Sequence, residues 1–154
     1  MNQIPTITKN LLIINVLFYM GTLALQKYGI DVHSLFGLHF FKASGFRIYQ
    51  LVTYMFLHEG FQHIFFNMFA VWMFGSVLEN VWGPKKLLIF YLVCGIGAGV
   101  TQELVQWAHY SLTLANYDSV NMAGRIIMMD QYLNMMLTVG ASGAVYGILL
   151  GYGM

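Results

Sequence analysis

The sequence predicts an all-α fold, a polytopic bundle of transmembrane helices. Hydrophobic residues make up 58% of the 154 residues and charged residues only 8%, against roughly 25% charged in a soluble domain. A chain so poor in charge cannot cover a folded surface with polar groups, so lipid is the solvent for much of it. The charges are also segregated, with long uncharged runs between short polar stretches. The first of these runs is apolar on all sides, where a helix on a soluble protein carries one apolar stripe.

The length suits one domain, 1–154. A first span is expected at about 10–27, because no charge occurs from Asn10 to Gln26 and a spanning helix needs about 20 residues. It has no small-residue cleavage site, so it reads as a retained span. Residues 28–57 mix Asp31, His33, Lys42 and Arg47 with Phe36, Phe40, Phe41 and Phe46. Aromatics beside cations, with no run long enough to span, predict a segment lying in the membrane interface. A second span is expected at about 59–79, where residues 60–78 carry no formal charge. Gly83-Pro84 breaks the chain, and Lys85 and Lys86 flank a third span at about 86–109. Glu103 is expected near an interface or facing protein. Gly95, Gly97 and Gly99 form a small-residue patch suited to close helix contact. Residues 111–132 read as a polar loop with a short helix around 123–129. A fourth span is expected at about 134–154.

Net charge of +1 argues against nucleic acid as a partner. Cys94 is the single cysteine, which excludes an internal disulfide and a Cys-based zinc site; it reads as a small packing residue.

Polar residues inside the apolar runs mark the chemistry. His63 and Asn67, four residues apart, share one side of the second span. At membrane depth such groups are costly unless paired or functional, so they either bond a neighbouring helix or build a site. The stretch from His58 to His63 is one residue longer than HExxH. On a regular helix the two histidines diverge by about 140° and cannot chelate one ion, so no metal is expected. Ser142 stands between Gly140 and Gly143. A lone serine in an apolar helix usually bonds back to its own backbone. Here the glycines would let a substrate backbone approach. A helix break before Ser142 would leave N–H groups and the helix dipole free to stabilise an oxyanion. Gly143, Gly147 and Gly151 give a flat packing face, and Tyr146 shares the serine's face. The match to G-x-S-x-G is partial, and the alternating β/α units of a soluble hydrolase are missing.

Together these motifs resemble the rhomboid family of intramembrane serine proteases. Its H-x-x-x-N pair in the second span stands here as His63 to Asn67. Its G-x-S-G at the start of the fourth stands as Gly140 to Gly143, and its E-x-x-x-G as Glu79 to Gly83; His58 also fits. The match runs from about residue 46 to 154, and the first span matches in character only. The resemblance implies a six-helix bundle of which four helices stand here. It implies Ser142 as nucleophile, with an oxyanion hole from the His63 and Asn67 side chains and the Ser142 N–H. Tyr146 would pack against the general-base histidine, which the family carries on the sixth span. Gly140, Gly143, His58 and Glu79 would support the site. No cofactor or metal is implied. The implied partners are transmembrane protein substrates, cleaved near their helix ends, and the lipid bilayer.

Only twelve residues follow Ser142. They rise about 18 Å, short of the ~30 Å hydrocarbon core, so the chain reads as the N-terminal portion of a longer frame. On its own it is expected to be inactive. The alternative is a non-catalytic rhomboid-like protein that binds transmembrane helices. Two departures stand out: Tyr49-Gln50 where many members carry Trp-Arg, and a 111–132 loop longer than in compact members. The expected setting is a multi-pass protein of a bacterial plasma membrane, N-terminus inside.

Overall fold

A computed structural model describes residues 3–154. Eight α-helices dominate the described residues, and the fold is the helical membrane bundle expected. Helix α1 spans Thr6–Gln26. It starts earlier than the charge pattern suggests, and the reason lies far away in the sequence. Pro5 at its N-cap offers no side-chain bond. The Glu79 carboxylate instead accepts from the N–H groups of Ile7 (2.9 Å) and Thr8 (2.7 Å) and from the Thr8 hydroxyl (2.8 Å). A carboxylate on the positive end of a helix satisfies orphan donors and complements the dipole.

The segment after α1 is folded on itself. It holds α2 (Val32–Phe36), strand β1 (Leu38–His39), α3 (Gln50–Thr53) and a 3₁₀ turn at Tyr54–Phe56. Gln50 organises it from within. Its amide donates to the carbonyls of Gly45 (3.1 Å) and Leu35 (3.4 Å) and accepts from the N–H groups of Arg47 (2.9 Å) and His39 (3.4 Å).

The second long helix begins as α4 (Phe61–Ala70), passes through a π-helical stretch at Val71–Gly75 and ends as α5 (Ser76–Trp82). Gly83 stops it at φ +85°, a left-handed conformation that glycine adopts without a Cβ penalty. Pro84 then opens α6 (Pro84–His109), which continues through a π-helical stretch to Leu114, beyond the 86–109 expected. Thr6–Gln26, Phe61–Trp82 and Pro84–Leu114 are each long and apolar enough to cross a membrane.

Two expectations for the C-terminal part are corrected. The short helix expected around 123–129 is not formed: residues 123–128 belong to an antiparallel hairpin of β2 (Ser119–Met122) and β3 (Arg125–Met128), and helix begins only at Met129. Ala123 (φ 52°) and Gly124 (φ 87°) make its two-residue turn, the positive-φ pair whose twist matches the strands. The fourth long helix, α8, spans Ser142–Gly153 and does not begin near 134. Before it come α7 (Met129–Met135) and strand β4 (Leu137–Thr138), which pairs antiparallel with β1. Gly140 at φ +117° then prevents a continuous helix.

Burial is inverted relative to a soluble protein. Thr8, Asn15, Gln50, Asn67, Glu79 and Glu103 are buried, while Leu17, Phe66, Val93, Leu104 and Leu150 are exposed. Polar groups turned inward and aliphatic ones outward are what a lipid solvent selects. Glu103 faces protein, accepting from the Phe41 N–H at 2.7 Å.

Helices α6 and α8 pack closely. A Cβ on Gly143 would collide with Ala98, and one on Gly147 would lie 2.5 Å from Cys94 Cβ and Sγ. Cys94 is thus a packing residue on the far side of the glycine face. A smaller cluster of Phe40, Ala43 and Leu133 joins the 28–57 segment to α7.

Candidate active site

The start of α8 meets the start of α4 at one end of the bundle. Two backbone features bring it there. The β1–β4 pair holds residues 137–138. The Gly140 N–H then donates to the Tyr54 carbonyl at 2.9 Å. Tyr54 is itself fixed, its hydroxyl donating to the Gly95 carbonyl on α6 at 2.6 Å.

At Gly140 the two helices touch. A Cβ placed there would lie 2.6 Å from His63 Nε2, 2.7 Å from its Cε1 and 3.7 Å from Ser142 Oγ. The imidazole therefore lies against the Gly140 backbone, and the serine hydroxyl borders the same point. Two independent constraints, conformation and contact, require glycine here. Ser142 is half-buried and opens α8, so the unpaired N–H groups of a helix N-terminus surround it.

Asn67 is one turn beyond His63 and buried at 7% exposure. Its Nδ2 has no hydrogen-bond partner among the described residues. A buried donor without a partner carries a desolvation cost of about 1–3 kcal/mol.

His58 backs this pair. Its ring meets His63 edge to face, centroids 5.0 Å apart. The expected divergence of the two histidines is thus corrected: His58 precedes the helix, which begins at Phe61, so helical spacing does not apply. Burial, then the neighbouring His63, lower the His58 pKa to about 4, which leaves the ring neutral at physiological pH. Neither of its nitrogens has a partner among the described residues. His33 Nε2 lies 3.3 Å from the His58 carbonyl.

The other histidines are engaged elsewhere. His39 Nε2 lies 2.8 Å from the Ser34 carbonyl, and His109 Nδ1 lies 3.4 Å from the Thr113 hydroxyl. Tyr146 is 72% exposed on the outer side of α8. Glu79 lies apart from the site and acts on α1, as described above.

Sequence reasoning missed two residues that hold the site. Tyr54 anchors Gly140 through its backbone, which leaves no signal in side-chain patterns. Gln50 shapes the segment carrying β1; its position in place of an arginine was the only hint.

The chain is similar to known proteins. The family model of the Rhomboid domain matches residues 45–153. Rhomboid protease AarA of Providencia stuartii is 33% identical over 94 residues, 61% of this chain and 29% of that protein. Rhomboid-like protein 11, chloroplastic, of Arabidopsis thaliana is 31% identical over 138 residues, 90% of this chain and 38% of that protein. Rhomboid protease GluP of Bacillus subtilis is 28% identical over 101 residues, 66% of this chain and 14% of that protein. The chain belongs to the rhomboid family, and it is an integral, multi-pass membrane protein. It spans well under half the length of these relatives.

Proposed function

We propose that this chain carries the nucleophile and oxyanion hole of an intramembrane serine endopeptidase that cleaves transmembrane protein substrates. The observation that carries the reading is the meeting of His63 and Ser142 across Gly140, from segments nearly 80 residues apart. A glycine-lined helix start with a serine hydroxyl, an imidazole and an unpaired buried amide is suited to acyl transfer. Ser142 Oγ attacks the scissile carbonyl. The negative charge that develops on the carbonyl oxygen is met by the Ser142 N–H, His63 and Asn67. Neutral His58 buttresses the His63 ring without adding a competing charge.

The attacking hydroxyl must lose its proton to a base within about 2.6–3.2 Å. His63 is committed to the oxyanion in this scheme, so the base is another group; the resemblance to the rhomboid family implies a further histidine, expected beyond residue 154. Tyr146 on the outer side of α8 packs against it. No metal or cofactor takes part. The proposed setting is a bacterial plasma membrane, although relatives include a chloroplast protein.

The test is activity-based labelling. A fluorophosphonate is expected to modify Ser142 in the full-length protein, with labelling lost in Ser142→Ala. Purified residues 1–154 are expected not to cleave a transmembrane model substrate. A correctly folded full-length protein that neither labels nor cleaves, yet retains a bound transmembrane helix, would establish the non-catalytic alternative.

A further inference from the structure

The β2–β3 hairpin is not used by the proposed mechanism, and its composition is unusual for a water-exposed ribbon. Strand register pairs Ser119 with Met128 and Asn121 with Ile126 on one face, and Val120 with Ile127 and Met122 with Arg125 on the other. Paired residues share a face and alternate along each strand. Val120 and Ile127 are half-buried, while Met122 and Arg125 on their face, next to the turn, are exposed. The opposite face presents Ile126 at 72% and Met128 at 62% exposure. From Ile126 onward β3 is therefore apolar on both sides. A strand covered on one side and bathed in water on the other alternates apolar with polar; this one does not.

The surface leading to the hairpin identifies what meets it. The helix from Pro84 to Leu114 has 31 residues. At 1.5 Å per residue it is about 46 Å long, enough to cross a core of about 30 Å and both headgroup layers. Its outward residues Val100, Leu104 and Trp107 are exposed on the bare protein, and Leu112 at its end is 84% exposed. The hairpin begins at Ser119, only a few residues after this helix ends. Tyr117 is exposed between the two, the type of residue enriched at headgroup level.

We propose that the outer face of the hairpin, Ile126 and Met128, lies on the lipid interface and anchors the segment between α6 and Ser142 to the bilayer. The anchor passes to the site along the chain, through α7, β4 and the turn at 139–141 that precedes Ser142. The inference is independent of Ser142 being catalytic.

The test uses the full-length protein in phosphatidylcholine vesicles containing nitroxide-labelled phosphatidylcholine. In a Cys94→Ala background, Ile126→Cys and Met128→Cys carry an environment-sensitive fluorophore, with Leu104→Cys as the lipid-facing reference. At both hairpin positions a blue-shifted emission and loss of fluorescence to the nitroxide lipid are expected, as at the reference. Water-like emission would overturn the proposal. So would a blue shift without quenching, since that places protein, a substrate or a second copy over the face. Methionine oxidation in the unmodified protein gives a second readout. Met128 is more exposed than Met122 on the bare protein, 62% against 42%. Lipid cover reverses the order, so an aqueous oxidant is expected to modify Met128 more slowly than Met122 in vesicles. Faster or equal oxidation of Met128 would overturn the proposal.

Discussion

At the scale of single residues, the site contains groups whose cost to stability and value to chemistry are opposed. Asn67 Nδ2 is buried without a partner among the described residues, so removing it should cost little folding energy. Asn67→Leu is expected to leave the melting temperature in detergent unchanged or slightly raised. Activity of the full-length protein is expected to fall about 10²–10³-fold, as for loss of one oxyanion donor. Equal loss of both would identify Asn67 as a packing residue. Gly140 behaves differently. Gly140→Ala meets a φ of +117° and a contact of 2.6 Å with His63 Nε2. It is expected to abolish fluorophosphonate labelling of Ser142 while the helical circular dichroism of the bundle persists.

His58 makes a prediction about pH. Its folded pKa, about 4, lies below the ordinary 6.5. Below pH 6.5 the unfolded chain binds a proton that the folded protein refuses. Stability is therefore expected to fall as pH drops from about 6.5 toward 4, by up to roughly 3 kcal/mol at the acid end. His58→Phe, which cannot be protonated and keeps the ring's shape, should flatten that acid-side loss. A pH–stability curve of the variant that superimposes on the parent's would show that His58 does not titrate as described.

At the scale of elements, two contacts tie the helices together at different levels of the bundle. Glu79 closes the N-terminus of α1 with three hydrogen bonds. Glu79→Ala leaves those donors buried and is expected to cost about 3 kcal/mol or more, since each bond to a charged group is worth about 1.5–3. Chemical denaturation in detergent measures it, and a change under 1 kcal/mol would refute the role. Gly147 sets the α6–α8 distance. Gly147→Val pushes against Cys94 and is expected to destabilise by about 1–3 kcal/mol or more. A compensating loss of volume in Cys94→Ala is expected to recover part of this, the non-additivity of side chains in contact.

The helical elements were legible in the sequence because lipid imposes a simple rule. A span must be long, uncharged and helical, since its backbone has no water to bond. That rule yielded the runs near α1, α4–α5 and α6. It failed where the chain leaves the hydrocarbon. The β2–β3 hairpin rests on a turn of Ala123 and Gly124, and alanine at positive φ carries no sequence signal. Residues 134–141 are as apolar as a helix, so the sequence alone predicts too early a start for α8. Cross-loop pairing with β1 and the conformation of Gly140 decided otherwise.

At the scale of the whole molecule, the bundle separates the cap of α1 from the proposed site. The Glu79–α1 contact and the Gly83 turn occupy one end; His63, Asn67 and Ser142 occupy the other. The buried His58 and the Gln50-centred segment close over the second end.

By itself, the sequence determined that this is a helical membrane protein with a serine and a His–Asn pair in the spacing of the rhomboid family. Composition and local motifs suffice for that, because solvent and motif act on neighbouring residues. Only the tertiary structure decided that Ser142 borders His63, that Glu79 serves α1 and that the two histidines at 58 and 63 touch. Those facts depend on the packing of helices distant in the chain, through a backbone bond from Gly140 to Tyr54 and glycine contacts on α6. Such contacts join residues with no fixed spacing, so no local pattern encodes them.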